Sequence, residues 1–355
     1  MSFEMNPVEK KANLRQGWKE ILVKRVPLRL AELVSDISPI VPFYHMVSNQ
    51  RVVHICHLYP YRNERQFIAD IDFLCSRYKP VSLFEIIDHV KGGARLEKGS
   101  FILTFDDGFN EMYSVVAPIL SKKGISAVFF LNTSFIDNKA LAYKNKASVI
   151  IEQLIRDENS LNLVMRLLGC QSKFTLDEAK RRILSITYQG AHIIDEIAEN
   201  LGISFKDYLA RFQPYLTKAQ VRSMVKQGFC FGAHSKDHPL YADLSLEEQV
   251  SQTLDSLKFV RNEFNLPYSV FAFPHHDRLV TEDFFRAIES QVDLTFASVS
   301  LRRDSVPFHL PRVDLEKTSD FAANGLKFCY IKNFIDRLRN NAAPILQAFR
   351  QNEER

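Results

Sequence analysis

Apolar residues along this chain gather in short unbroken runs, separated by stretches in which they recur at helical spacing. Residues 39–45 read as a strand ending at a polar tip. Phe67, Ile71, Leu74, Cys75 and Tyr78 share one helical face and predict an amphipathic helix over 64–78. A strand over 101–105, a helix over 110–122 closed by Gly124, and a strand over 125–131 follow. Strands apolar on both faces, alternating with helices, argue for an α/β chain built on a parallel sheet or barrel.

From 138 to 216 the alternation stops. This stretch holds no strand pattern and at least four helical ones, one opened by the capping box Thr175-Leu-Asp-Glu178, and reads as a helical insertion. Alternation then resumes. Thr217 caps a helix over 218–226, Gly228 ends it, and a strand over 229–233 leads to His234. Ser245-Leu-Glu-Glu248 opens a helix to about 263; a strand over 268–273, a helix over 282–290 and a strand over 294–299 follow. The expected organisation is an N-terminal arm (1–38), a main domain (39–326) carrying the insertion, and a C-terminal helix and polar tail (327–355).

Composition narrows the class. The 355 residues are 46% apolar and 25% charged, as in an ordinary globular protein, and the net charge of +4 is too small to argue for nucleic acid. Five scattered cysteines, odd in number and without metal-type spacing, read as reduced thiols. No run approaches the ~20 apolar residues of a membrane span, and no apolar leader precedes a small-residue cleavage site. The expected location is therefore cytoplasmic, at most against the inner face of a membrane. Within the arm, Ile21, Leu22, Val26, Leu28, Leu30 and Leu33 lie among Lys19, Lys24, Arg25 and Arg29. That pattern suits an interfacial helix on an anionic membrane or an arm packed on the domain, and Pro27 favours the packed arm.

The chemistry-bearing residues stand at predicted strand ends, where parallel α/β folds gather function. His45 ends one strand, Asp106 and Asp107 another, His234 a third, and His275-His276 a fourth. Asp107, His234 and His238 make a mixed N/O set for a divalent cation, with a position left open for water. Zn²⁺ fits best, with Co²⁺ or a similar cation as the alternative, and Asp106 is then available as a general base. The rival reading has the Asp pair capping the following helix and the His pair on the surface. An Asp pair holding Mg²⁺ for phosphoryl transfer fits less well, because two imidazoles suit softer metals. His54, Cys56 and His57 cluster locally at a spacing that matches no site, and read as strand or loop residues. Phe109 and Tyr241 adjoin the motifs and could stack on the ring of a bound ligand.

Thr104-Phe-Asp-Asp-Gly108 followed by His234-Ser-x-x-His238 resembles the first two motifs of the polysaccharide deacetylases, carbohydrate esterase family 4, over about residues 40–315. The resemblance implies a distorted (β/α) barrel and a metal-dependent hydrolase that removes N-acetyl groups from amino-sugars. It makes Asp106 the base and Asp107, His234 and His238 the metal ligands. Pro42-Phe-Tyr-His45 is similar to the early Tyr-His motif of the poly-N-acetylglucosamine deacetylase subgroup, which implies His45 as general acid; His309, in the late position of other members, is the rival. Arg312 is assigned to orienting Asp106, against the alternative of a surface salt bridge. The chain departs from the family's Pro-Tyr-Gly with Pro274-His275-His276, where the backbone N–H of His275 keeps an oxyanion role. The implied partner is an amino-sugar glycan or its lipid- or nucleotide-linked precursor. A deformylase, another amidase, or an inactive carbohydrate-binding relative are the alternatives.

Overall fold

The computed structural model describes residues 26–33, 37–157, 159–169, 175–298, 306–316 and 322–335. Most of the basic N-terminal stretch and the tail after 335 lie outside these residues. Leu28–Leu33 forms a short helix that buries Ala31 and leaves Leu30 and Leu33 exposed. No helix among the described residues is long and apolar enough to cross a membrane.

The strands among the described residues are β1 (Pro42–Tyr44), β2 (Lys79–Pro80), β3 (Ser100–Phe101), β4 (Leu103–Phe105), β5 (Ala127–Leu131), β6 (Cys230–Ala233), β7 (Val270–Ala272), β8 (Leu294–Phe296), β9 (His309–Leu310) and β10 (Val313–Asp314). Eight of them form one parallel sheet in the order β10-β1-β4-β5-β6-β7-β8-β9. β9 and β10, at opposite ends of that order, are parallel to their neighbours and only two residues apart in the chain. Residues 309–314 are therefore one extended segment, bonded to β8 by its first half and to β1 by its second. That segment closes the sheet into the distorted barrel expected from the sequence.

Strand alternation sorts the side chains. Tyr44, Phe105, Phe129 and Phe231 share a register across β1, β4, β5 and β6, and their rings stack at 5.8, 4.9 and 5.5 Å. Tyr44 meets Phe67 of the helix Glu64–Arg77, so this ladder faces the outer helices. Thr104 and Phe130, one residue out of phase, face inward. The interior is tight at Gly232: a Cβ there would sit 2.6 Å from both Phe130 and the Val270 carbonyl.

Helices begin where side chains cap them. Asn63, Ser82, Thr217 and Ser245 each complete a capping box, and Thr175 accepts the Glu178 N–H. The helix Leu83–Val90, opened by the Ser82 capping box, adds an element not assigned above, although Leu83, Ile86, Ile87 and Val90 fall at helical spacing. The C-terminal helix placed at 327–340 is in place by 322. Among the described residues, five α-helices occupy the interruption: Tyr143–Arg156, Asn159–Leu167, Leu176–Ser185, Ala191–Asn200 and Phe205–Phe212. They bury Ala147, Ile150, Leu154, Val164, Ile183, Ile194 and Ile197 in a core of their own. Tyr215, just beyond them, stacks on Phe109 at 5.5 Å and joins this unit to the barrel.

Candidate active site

The C-terminal ends of the barrel strands open into one cavity of about 350 Å³. His45 follows β1, Asp106 and Asp107 follow β4, Asn132 follows β5, His234 follows β6, Ser298 lies just past β8, and Glu316 follows β10; all line it. His238 and His275 complete the polar wall, and Ala142, Lys144, Asn145 and Leu184 close it from the helical unit.

The turn after β4 is tight. Asp107 and Gly108 both have left-handed backbone, with φ of 69° and 67°. A side chain at 108 would meet Leu131 at 2.8 Å. This turn points the two carboxylates in different directions. Asp107 Oδ1 lies 3.2 Å from His238 Nε2 and 3.5 Å from His234 Nε2. It is buried and has no hydrogen-bond partner among the described residues. His234 Nδ1 lies 2.8 Å from the Ala272 carbonyl, which can only accept, so Nδ1 carries the proton and Nε2 presents its lone pair. Burial lowers the His234 pKa to about 4, which keeps the ring neutral, as a ligand must be. Burial opposes the Asp107 charge, but His238 beside it holds the carboxyl far below the usual carboxylate range. One carboxylate oxygen and two ring nitrogens within 4.8 Å of one another, facing one point without bonding each other, fit a divalent cation.

The loop that carries His238 is pinned by groups that carry no motif of their own. Ser235, with φ 69°, accepts the His238 N–H on its hydroxyl at 3.0 Å. Asn132 donates to the His234 carbonyl, and the N–H groups of Thr133 and Ser134 bond the Ser235 and Lys236 carbonyls at 3.2 and 2.9 Å. The serine of the His-Ser-x-x-His run is thus a fastening for its second histidine.

Asp106 turns to the other side. Arg312, fully buried, grips it through Nη1 and Nη2, both at 2.7 Å, and donates Nε–H to the Ala297 carbonyl at 2.5 Å. The guanidinium carbon also lies 4.4 Å from the Phe43 ring centroid. Burial would raise the Asp106 pKa, and Arg312 more than reverses this, so the group stays ionised.

His45 Nε2 lies 4.0 Å from Asp106 Oδ2. Its Nδ1 is 2.7 Å from Glu316 Oε2, while Glu316 Oε1 accepts the backbone N–H groups of His45 and Met46 at 2.7 and 2.8 Å. Burial alone would favour the neutral ring; Glu316 overrides it and raises the His45 pKa to about 9. Tyr59 packs on His45 at 4.9 Å and donates to Asp107 Oδ2 at 3.4 Å. Neither Glu316 nor Tyr59 carries a signal in the sequence, since each sits in an ordinary loop.

His275, with φ 54°, sets its ring against His238 at 4.4 Å and its Nε2 3.5 Å from the Tyr143 hydroxyl. His309 lies away from the cavity: it is buried against Phe273 and Phe285, with Nδ1 2.8 Å from Thr295 Oγ1 and Nε2 3.2 Å from Asp277. Phe109 and Tyr241 correct an expectation. Both are fully buried, Phe109 against Tyr215 and Tyr241 bonded to Thr253, and neither can stack on a sugar. Cys56 and His57 meet Glu152 of the helical unit. That carboxylate is already bonded by His57, Arg51 and Arg156, at 3.0, 2.6 and 3.2 Å, so the cluster is an ionic tie between two parts of the chain. Cys56, Cys75, Cys230 and Cys329 are free thiols.

No curated protein sequence matches the chain. Among solved structures, the deacetylase PplD of Streptococcus pyogenes, in complex with acetate, is similar at a TM-score of 0.53 and 14% identity, over 82% of this chain and 97% of that one. IcaB from Ammonifex degensii is similar at 0.51 and 16%, over 82% and 96%. A de-N-acetylase from Aggregatibacter actinomycetemcomitans is similar at 0.51 and 16%, over 83% and 98%. At these identities the likeness is one of fold. The family is carried by sequence: the model described as "Polysaccharide deacetylase" matches residues 93–296, a span that includes both the Asp-Asp-Gly turn and the His-Ser-x-x-His loop. More than half of the chain is covered by that match, and the protein accordingly belongs to the polysaccharide deacetylase family and is a deacetylase hydrolase.

Proposed function

We propose that this protein is a metal-dependent hydrolase that removes an N-acetyl group from an amino-sugar in a polysaccharide or its precursor. The observation that carries the reading is the unbonded Asp107 Oδ1 facing two imidazole nitrogens, with the Asp106 and His45 side chains on the same cavity.

Asp107, His234 and His238 are assigned the cation, Zn²⁺ or Co²⁺ by the chemistry of the donors. Bound there, the cation supplies Lewis acidity toward the acetamido carbonyl and lowers the pKa of water. Asp106 accepts the proton of the attacking water as the water oxygen adds to the carbonyl carbon. Arg312 keeps the Asp106 carboxylate ionised and fixed for that task. His45, charged at neutral pH, gives its Nε2 proton to the sugar nitrogen as the C–N bond breaks. Acetate leaves, and the sugar keeps a free amine. Glu316 holds the His45 ring in the tautomer and charge state this step needs. The backbone N–H of His275, at the strained turn after Pro274, is assigned to the developing oxyanion. Two of the similar structures are named as a deacetylase and a de-N-acetylase, which supports the same reaction class here.

The test is acetate release from short N-acetylglucosamine oligomers by metal-stripped protein, with and without added Zn²⁺ or Co²⁺. Metal-dependent release that is lost in Asp106→Asn supports the reading. Stoichiometric metal binding with no release from any acetylated sugar counts against it.

A further inference from the structure

The cavity is walled on one side by the helical unit, and that wall carries a cation. Lys144, half-buried in the helix Tyr143–Arg156, lines the same cavity as Asp107, His234 and His238. Its ammonium donates to the carbonyls of Leu184 and Ile186, at 2.6 and 2.9 Å. An ammonium has three N–H donors, so two carbonyls leave one to spare.

No carboxylate pairs with Lys144 among the described residues. Its neighbour Lys146 meets Asp195 at 2.6 Å, and Lys218 meets Glu263 at 2.7 Å. Those pairs reach solvent, where pairing is worth little. Lys144 is the one drawn into a cavity, where an ammonium without a counter-ion is costly to hold. Besides the carbonyls it meets the face of Tyr143, 5.0 Å from the ring centroid. Tyr143 touches His275, and His275 packs on His238. The cation is therefore linked to the metal-ligand set through the Tyr143 and His275 rings, on the wall of the same cavity.

We propose that Lys144 is a specificity-determining residue that receives an anionic group, phosphate or carboxylate, carried by the acetylated sugar. This rests on the deacetylase reading above. The barrel does not need this lysine, because it comes from the inserted helices. The rival role is structural: Leu184 and Ile186 lie at the end of the helix Leu176–Ser185, where a lysine can cap the last carbonyls. A cap would affect stability and leave ligand choice unchanged.

The experiment is calorimetric binding of three sugars to the metal-loaded protein: N-acetylglucosamine, its 1-phosphate, and N-acetylmuramic acid. The expected result is that an anionic sugar binds about tenfold or more tightly than the neutral one, the size of one charge-assisted hydrogen bond. Whichever of the two binds tighter identifies phosphate or carboxylate as the group received. In Lys144→Met the preference should vanish while affinity for N-acetylglucosamine holds. Equal binding of all three by the unaltered protein overturns the proposal, and needs no variant to fold. A preference that survives Lys144→Met also overturns it, because the anion would then be held elsewhere. Binding needs no turnover, so a charge preference without any hydrolysis would sink the deacetylase reading and leave the role of Lys144 standing.

Discussion

Glu316 holds His45 from two sides, with Oε1 on its backbone N–H and Oε2 on its ring Nδ1, each at 2.7 Å. One carboxylate thereby sets the position, tautomer and charge of the residue assigned as acid. The ring pKa is raised from 6.5 to about 9, so the proton is present at pH 7 and is lost as pH rises through about 9. Turnover is expected to fall along that alkaline limb. In Glu316→Gln the limb should move down toward the ordinary histidine value of about 6.5. A pH–rate profile of kcat for both proteins checks this. A variant that is slower at every pH, with the limb unmoved, would mean that Glu316 only supports the fold.

Asp106 and Arg312 form a buried, two-point ion pair, and this makes Asp106→Asn a variant with two separable effects. Loss of a general base should cost turnover roughly a hundredfold to ten-thousandfold. Leaving Arg312 buried with a neutral partner should also destabilise the fold, by as much as about 3–5 kcal/mol. Metal binding, which uses Asp107, should persist; calorimetry with Zn²⁺ on the folded variant checks it. The pair also has a pH signature. The folded Asp106 pKa is depressed, so its stabilisation is full above the unfolded value of about 3.9 and is lost as pH falls through the folded one. In Arg312→Met that acid-labile share should be missing from a plot of melting temperature against pH.

The strand ends that carry Asp106, Asp107 and His234 were legible because a charged or ionisable group set directly after a buried apolar run is costly unless a site uses it. Helix starts at Thr175, Thr217 and Ser245 were legible because capping is local, spanning four residues. Glu316 was not, because its partner lies 271 residues away and its own flank is a two-residue strand. The same brevity hid the barrel closure: residues 309–314 divide their hydrogen bonds between two neighbours and show no strand period of their own. Phe109 and Tyr241 are illegible for a related reason. Adjacency to a motif says nothing about which way a ring points, and both rings fill cores behind the site.

Asp107 Oδ1 is a buried acceptor that no proton donor among the described residues satisfies, and this predicts a strong response to metal. Removing the cation should destabilise the fold, and adding it back should raise the melting temperature by mass action, about 2.7 kcal/mol at a hundredfold excess over Kd. Co²⁺ gives a second readout, a visible absorption band from an N₂O-type site. His234→Ala should abolish both responses. His309→Ala, which removes a ring bonded to Thr295 and Asp277 away from the cavity, should abolish neither. If His234→Ala keeps the Co²⁺ band, the ion sits elsewhere.

Glu152 ties the inserted helices to the 51–58 loop through Arg51 and His57, and Arg156, one turn along its own helix, also bonds it. The hydrogen bond from Arg51, aided by His57, lowers its pKa to about 2. Both arginines are more than half exposed, and such pairs are each worth about 0–1 kcal/mol, so Glu152→Gln should barely move the global melting temperature. Locally the effect should be larger, because Glu152 bonds the loop that carries Val52 and Ile55 into the core they share with Val149 of the same helix. The helix that carries Glu152 also carries Tyr143 and Lys144 into the cavity wall, so loosening it should raise KM and leave kcat nearly unchanged. Hydrogen exchange should rise in 143–156 while the barrel strands stay protected. The sign with pH follows from the depressed acid: the tie holds above the ordinary glutamate pKa of about 4.3 and loosens as pH falls toward about 2. Exchange in the unaltered protein should therefore come to resemble that of Glu152→Gln over this window. Exchange that stays alike in the two proteins at pH 7 would show that apolar packing alone holds the helices in place.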